Sequence, residues 1–226
     1  MLRTLFQEPP RENEGPLRDI LTLADELAAK NAAIGTAQPQ RLQAWLRSIA
    51  TTYDELEQSV YCAERFAESV SREYVEEMGP EERAAYRRHL YFYKNSFIRV
   101  FSVLDKLGSF LNERFELRAE LVKERYSYFT ALRCLRESRL HPELSRRLHD
   151  IKNRYRDPVH ELRLMRNHEV HAMNTELLDE EGRLRIRPRD GKVQVEDLTQ
   201  NLETLRSGYE MATESLLAVL TYCSKA

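Results

Sequence analysis

An all-α fold is predicted: an up-and-down bundle of about five to six helices, several of them long, with a small β-hairpin before the last one. Three observations predict it. Only 7 of 226 residues are glycine, too few for a design built on many tight turns. Leu, Glu, Arg and Ala dominate, and all are good helix formers. Apolar residues recur in steps of three and four over long stretches, which marks one face of an α-helix. A hydrophobic share of 42% supplies a core, and a charged share of 32% supplies long solvated faces.

Residues 1–15 are rich in Pro, Glu, Arg and Asn and read as a flexible segment ahead of one helical domain, residues 16–226. Pro16 opens the helical pattern PLRDILTLADELAAK, which stops before Gly35. From Pro39 the stripe Leu42, Leu46, Ile49, Tyr53, Leu56, Val60, Ala63, Ala67, Val70, Tyr74 keeps helical spacing without a miss. It implies a helix of about 35 residues, roughly 50 Å long, broken by GPEE at 79–82. Leu90, Tyr93, Phe97, Val100, Leu104, Leu107 and Leu111 repeat the spacing, and Phe92, Ile98, Phe101 and Val103 make other faces apolar as well. A helix apolar on several sides is a central one. Asn95, Arg99, Ser102 and Lys106 form a single polar stripe on it, with Asp105 alongside; the stripe is either a solvent edge or the lining of a site.

Residues 119–138 are helical, Pro142 disfavours helix at His141, and a short helix follows through Tyr155. Asp157 as N-cap and Pro158 as first helical residue start the next helix at 158. In residues 183–195, Leu184 and Ile186 alternate with arginines, RPRDG is turn chemistry, and Val193 and Val195 alternate again, which predicts the hairpin. Its Arg183, Arg185, Arg187 and Arg189 either meet phosphates or keep an edge strand soluble. The last helix runs from about 197 to 223 on Leu198, Leu202, Leu205, Tyr209, Ala212, Leu216 and Val219.

The net charge of −2 does not by itself indicate nucleic-acid binding, but the charge is unevenly spread. Residues 118–192 hold 18 basic and 13 acidic side chains, leaving 17 against 24 elsewhere. This local excess suits either an anionic ligand or complementary neighbouring helices. Three cysteines with no C-x-x-C imply a reducing compartment without a disulfide frame or a zinc ribbon. No leader-like apolar segment and no apolar run of membrane-spanning length is present in the sequence, so a cytoplasmic location is expected, with no membrane partner.

The stretch RLMRNHEVHAM, residues 163–173, concentrates the chemistry. His168 and His171 are three apart, one short of the zinc-protease H-E-x-x-H, and no third ligand cluster accompanies them. Asn167 and His171, four apart on one side, also suit an ordinary solvated helix edge, with Arg163 and Arg166 paired to nearby acids. A third reading is a metal-free phosphodiesterase site. An imidazole titrates near neutral pH and moves protons, a guanidinium is a fixed planar donor for a phosphorane, and an amide orients either.

R166-N167-x3-H171 resembles the R-N-x3-H motif of the HEPN superfamily, small helical bundles of which many are metal-independent endoribonucleases of toxin–antitoxin and antiviral systems. FIRVFSVLDKLG, residues 97–108, resembles the central helix of standalone bacterial HEPN families, and the likeness spans roughly residues 40–222. Arg136/His141 and Arg163/His168 repeat the spacing, but Arg136 is followed by Glu137 and Arg163 by Leu164, and only Arg166 is followed by the polar residue that the resembled family prefers. The resemblance implies an RNA substrate, no metal or other cofactor, and a homodimer whose site is shared across a two-fold axis near residues 163–171. It also implies an antitoxin protein as a possible partner. His171 would then act as general acid/base or position the 2′-hydroxyl, Arg166 would stabilise the phosphorane, and Asn167 would hold the histidine or the phosphate. Arg163, His168, Arg99 and Lys106 are further candidates for substrate contact, and Asp105 for anchoring Arg166. A HEPN module without catalysis, binding RNA, a nucleotide or a protein, is the alternative, and a plain helical scaffold a third.

Overall fold

In a computed structural model, the described residues are 2–9, 15–32, 37–172, 174–177, 185 and 191–225. Among them are seven α-helices: α1 (Gly15–Ala32), α2 (Ala37–Ala67), α3 (Pro80–Phe115), α4 (Tyr128–Ser138), α5 (Pro142–Arg154), α6 (Arg156–His171) and α7 (Leu198–Lys225). Four short 3-10 helices punctuate them, Leu2–Phe6, Val75–Glu77, Ala119–Leu121 and Thr175–Leu177. The class is all-α, with seven helices where the sequence suggested five to six. Among the described residues, no helix is long and apolar enough to cross a membrane.

The chain forms two compact units. The first comprises Met1–Glu8, Leu56–Ile98 and Asp157–Tyr209. Its core takes Leu56, Val60 and Ala63 from α2, Tyr93 and Phe97 from α3, Val159 and Leu162 from α6, and Leu205 from α7, all buried. Leu2–Phe6 packs on α2 in this unit. The Leu2 amide donates to Gln58 Oε1 at 2.9 Å, buried Arg3 pairs with Glu57, and its guanidinium lies 3.7 Å from the centre of the Tyr61 ring.

The second unit comprises Pro9–Glu55, Arg99–Arg156 and Glu210–Ala226. Ile20, Leu46, Ile49, Leu104, Leu107, Leu135, Leu148 and Leu216 build its core. Two buried hydroxyl pairs tie α7 into it, Tyr53 with Thr213 at 2.7 Å and Tyr128 with Ser215 at 3.3 Å. The start of α4 lies directly on α3. Asp105 Oδ1 accepts from the Tyr128 amide at 3.0 Å, and a Cβ on Gly108 would stand 2.7 Å from Tyr128 Cα. Cys62, Cys134 and Cys223 are free and buried.

Three expectations need correction. Among the described residues the hairpin expected over 183–195 is not found: they contain no strand, only an isolated antiparallel bridge between Tyr74 and Gln194. The Val75 amide donates to Val193 O at 3.0 Å and the Val195 amide to Glu73 O at 2.9 Å. Gln194 N also donates to Arg185 O at 3.3 Å. Alternation marks a segment as extended without naming its partner, and here the partner is residues 73–75. Arg183, Arg187 and Arg189 lie outside the described residues.

Second, α2 stops at Ala67 although its apolar spacing continues to Tyr74. Glu82, in the first turn of α3, draws off the backbone there: its Oε1 accepts from the Ser71 amide at 2.6 Å and the Arg72 amide at 2.9 Å. Those bonds hold the Glu82 carboxyl below its ordinary pKa. Third, the segment 119–138 is helical only in the turn Ala119–Leu121 and from Tyr128. The break at His141 is present, with Arg139 in the left-handed region at φ 57° and Pro142 opening α5.

Candidate active site

The motif helix α6 starts at Arg156, one residue after Tyr155 and two before Pro158. Asp157 sits in its first turn, where a carboxylate favours the positive end of the helix dipole, rather than in the N-cap position. Its apolar residues set its orientation within the first unit. Val159 and Leu162 are buried, and Met165 is half-buried with its sulfur accepting from Tyr93 OH at 3.4 Å. Thr204 of α7 donates to Glu161 Oε2 at 3.4 Å. Lys94 of α3 lies 3.0 Å from Glu169 Oε1. The inner side of α6 is therefore fixed by both α3 and α7.

The other side carries the predicted chemistry. Arg163, Asn167, His168 and His171 are exposed, and Arg166 is half-buried. Arg166 donates through Nε and Nη2 to Asn167 Oδ1, at 3.3 and 3.0 Å, so the amide orients the guanidinium. Arg163 Nη2 donates to His160 Nδ1 at 3.0 Å. His171 is the last residue of the helix, and the Ala172 amide closes the final turn on His168 O at 2.9 Å. Two apolar residues stand among these polar ones, Leu164 at 47% exposure and Val170 at 55%.

Five positions separate Arg166 from His171, about 140° of rotation and about 7.5 Å of rise. Accordingly, Arg166 leans toward the packed side while His171 faces outward. The remaining candidates belong to the second unit, and each has a partner there. Arg99 pairs with Glu55, Lys106 donates to Thr52 Oγ1 and at 3.4 Å to Ser48 O, and Asp105 holds the Tyr128 amide. Among the described residues, no group of three or more His, Cys, Asp or Glu is placed to hold a metal ion.

The Cthe2314-like HEPN model matches residues 45–224, most of the chain, and the span includes the whole of α6. The chain belongs to the Cthe2314-like HEPN family. No curated protein and no solved structure matches it.

For this HEPN protein, two contributors to the site were not evident from sequence. Lys94 and Tyr93 hold α6 from α3. Tyr93 stood in the apolar stripe, so its burial was readable, but its hydroxyl contact was not. Lys94 falls one place before the polar stripe that begins at Asn95, and no local pattern distinguishes it from a solvated lysine.

Proposed function

We propose that this HEPN protein is a metal-independent endoribonuclease that works as a homodimer in a toxin–antitoxin or phage-defence system. What supports the reading is the set Arg166, Asn167 and His171, carried on one helix whose inner side is packed while Asn167 and His171 stay open to solvent. The 2′-hydroxyl oxygen attacks the adjacent phosphorus, forming the O2′–P bond and breaking the P–O5′ bond. An imidazole takes the 2′ proton and an imidazole returns one to the leaving 5′-oxygen. The products are a 2′,3′-cyclic phosphate and a 5′-hydroxyl. Arg166 stabilises the phosphorane charge, and Asn167 keeps the guanidinium in place. Arg163 and His168 contact flanking phosphates in this reading.

The offset between Arg166 and His171 is the reason for a second copy. One subunit's pair diverges, whereas two α6 helices around a two-fold axis can direct both pairs at one phosphate. The exposed Leu164 and Val170 give such a contact its apolar area.

The test is cleavage of a generic single-stranded RNA in excess EDTA. Arg166→Ala and His171→Ala are each expected to lower the rate by about a hundredfold or more. Cleavage that survives both substitutions, or that EDTA abolishes, removes the reading. Tight RNA binding without cleavage in the wild type selects the non-catalytic HEPN module instead.

A further inference from the structure

The last turn of an α-helix lacks part of its hydrogen-bond ladder and frays unless something holds it. His171 is in that position, as the final residue of α6. A catalytic imidazole there must be fixed by contacts beyond the helix itself.

Lys94 provides such contacts from α3. Its Nζ lies 3.0 Å from Glu169 Oε1 and 2.7 Å from Glu176 Oε2. Glu169 precedes His171 by two residues, and Glu176 follows it by five, in the 3-10 helix Thr175–Leu177. All three side chains are largely shielded, at 16%, 18% and 15% exposure, so water screens the pairs less than at an open surface. The other Glu176 oxygen accepts from Asn174 Nδ2 at 3.1 Å. Lys94 itself is rigidly mounted, next to buried Tyr93 and two residues before buried Ser96, well inside the 36-residue α3. One ammonium thus joins two carboxylates that would otherwise repel each other, and the chain on either side of His171 is tied to the same point.

We infer that Lys94 is a positioning residue for His171: by gripping Glu169 and Glu176 together, it holds the end of α6 in the geometry the reaction uses. The inference rests on the ribonuclease reading for its consequence in catalysis, but the tether is testable without it. A loosened imidazole remains present yet spends less time in line, so the loss falls on kcat rather than on KM.

The experiment compares wild type with Lys94→Met, Lys94→Arg and Glu176→Gln. It reads amide hydrogen exchange at Val170–Ala172 and, in EDTA, kcat and KM on RNA. For Lys94→Met the Ala172 amide is expected to exchange roughly tenfold faster. Its kcat is expected to fall about 10- to 100-fold, with KM within about threefold. Lys94→Arg retains most of both readouts. Glu176→Gln, which leaves the pair with Glu169, moves both in the same direction by less, and it decides the matter if Lys94→Met does not fold. Unchanged exchange in Lys94→Met and Glu176→Gln overturns the tether whatever the activity. Faster exchange with unaltered kcat overturns the link to His171. If the wild type cleaves no RNA, the ribonuclease reading falls separately, and exchange alone decides the tether.

Discussion

His89 shows how one buried side chain sets a pH limit on the fold. It is wholly buried on α3, with Nδ1 donating to Ala63 O at 2.9 Å and its ring stacked 5.7 Å from Tyr93. Among the described residues Nε2 has no hydrogen-bond partner. Adding a proton there would place an uncompensated charge in the core, so burial pushes the pKa below its ordinary value of 6.5. The unfolded chain therefore binds this proton more readily than the folded one. His89 contributes its full stability above about pH 6.5, and the contribution declines as the pH falls below that value toward the lowered folded pKa. His141 and His149 are lowered mainly by burial too and act in the same sense. Buried Glu196 acts in the opposite sense. Burial raises its carboxyl, so its contribution is largest below its ordinary value of 4.5 and declines as the pH rises through the folded pKa. Denaturant midpoints measured from pH 7.5 to 5 should fall with pH in the wild type and fall less steeply in His89→Gln. Equal slopes would mean that His89 is not the group being titrated. At this scale the motif residues were legible, because imidazole, amide and guanidinium on one helix are read directly from letters and spacing. Lys94 was not, because an ion pair between α3 and α6 exists only after the chain has folded.

Among the elements, the seat of α4 on α3 is the most exacting contact. Ser127, at the N-cap, makes no side-chain capping bond, and Asp105 of α3 satisfies the Tyr128 amide instead. One turn on, Gly108 lets the two backbones touch, with no room for a methyl group between its Cα and Tyr128. Gly108→Ala must push α4 away, because the obstructing atoms are backbone, and should cost about 1–3 kcal/mol. Asp105→Ala removes a charge-assisted bond and should cost about 1–2 kcal/mol, or about 2–7 °C in Tm for a chain of this size. Asp105→Asn keeps an acceptor and should cost less. Calorimetry checks both, and an unchanged Tm in Asp105→Ala would show that another group caps α4. Asp105 was singled out as a neighbour of the polar stripe; its fixed partner is the start of the next helix. The helices themselves were legible, since repeating steps of three and four impose a buried face whatever its partners turn out to be. Their ends were less so. Apolar spacing runs on past Ala67, but the backbone turns off at Ser69 and Val70, and Glu82 holds the Ser71 and Arg72 amides beyond it. The partner of residues 193–195 was illegible for the same reason: pairing of Gln194 with Tyr74 joins segments more than a hundred residues apart, beyond the reach of any local pattern.

For the whole molecule, family membership was legible because the motif, the helical periodicity and the late position of α6 agree with one another. The expected homodimer rests on the resemblance and remains a proposal, since sequence shows which side chains are apolar but not which stay uncovered. Leu164 and Val170 are about half exposed beside the motif. Sedimentation should therefore give a mass near twice 26.7 kDa. Leu164→Arg should yield a folded monomer with little RNA cleavage, while a wild-type monomer of full activity would rule out a shared site. The three cysteines offer a direct way to watch that contact form. All are shut inside the fold, and burial pushes the thiols of Cys62 and Cys223 up to about 11 and that of Cys134 upward as well. They are poor nucleophiles at neutral pH. A cysteine introduced at Leu164 would thus outcompete the native thiols for a maleimide spin label or fluorophore, and the spacing between two such labels would report how closely paired copies of the motif helix approach.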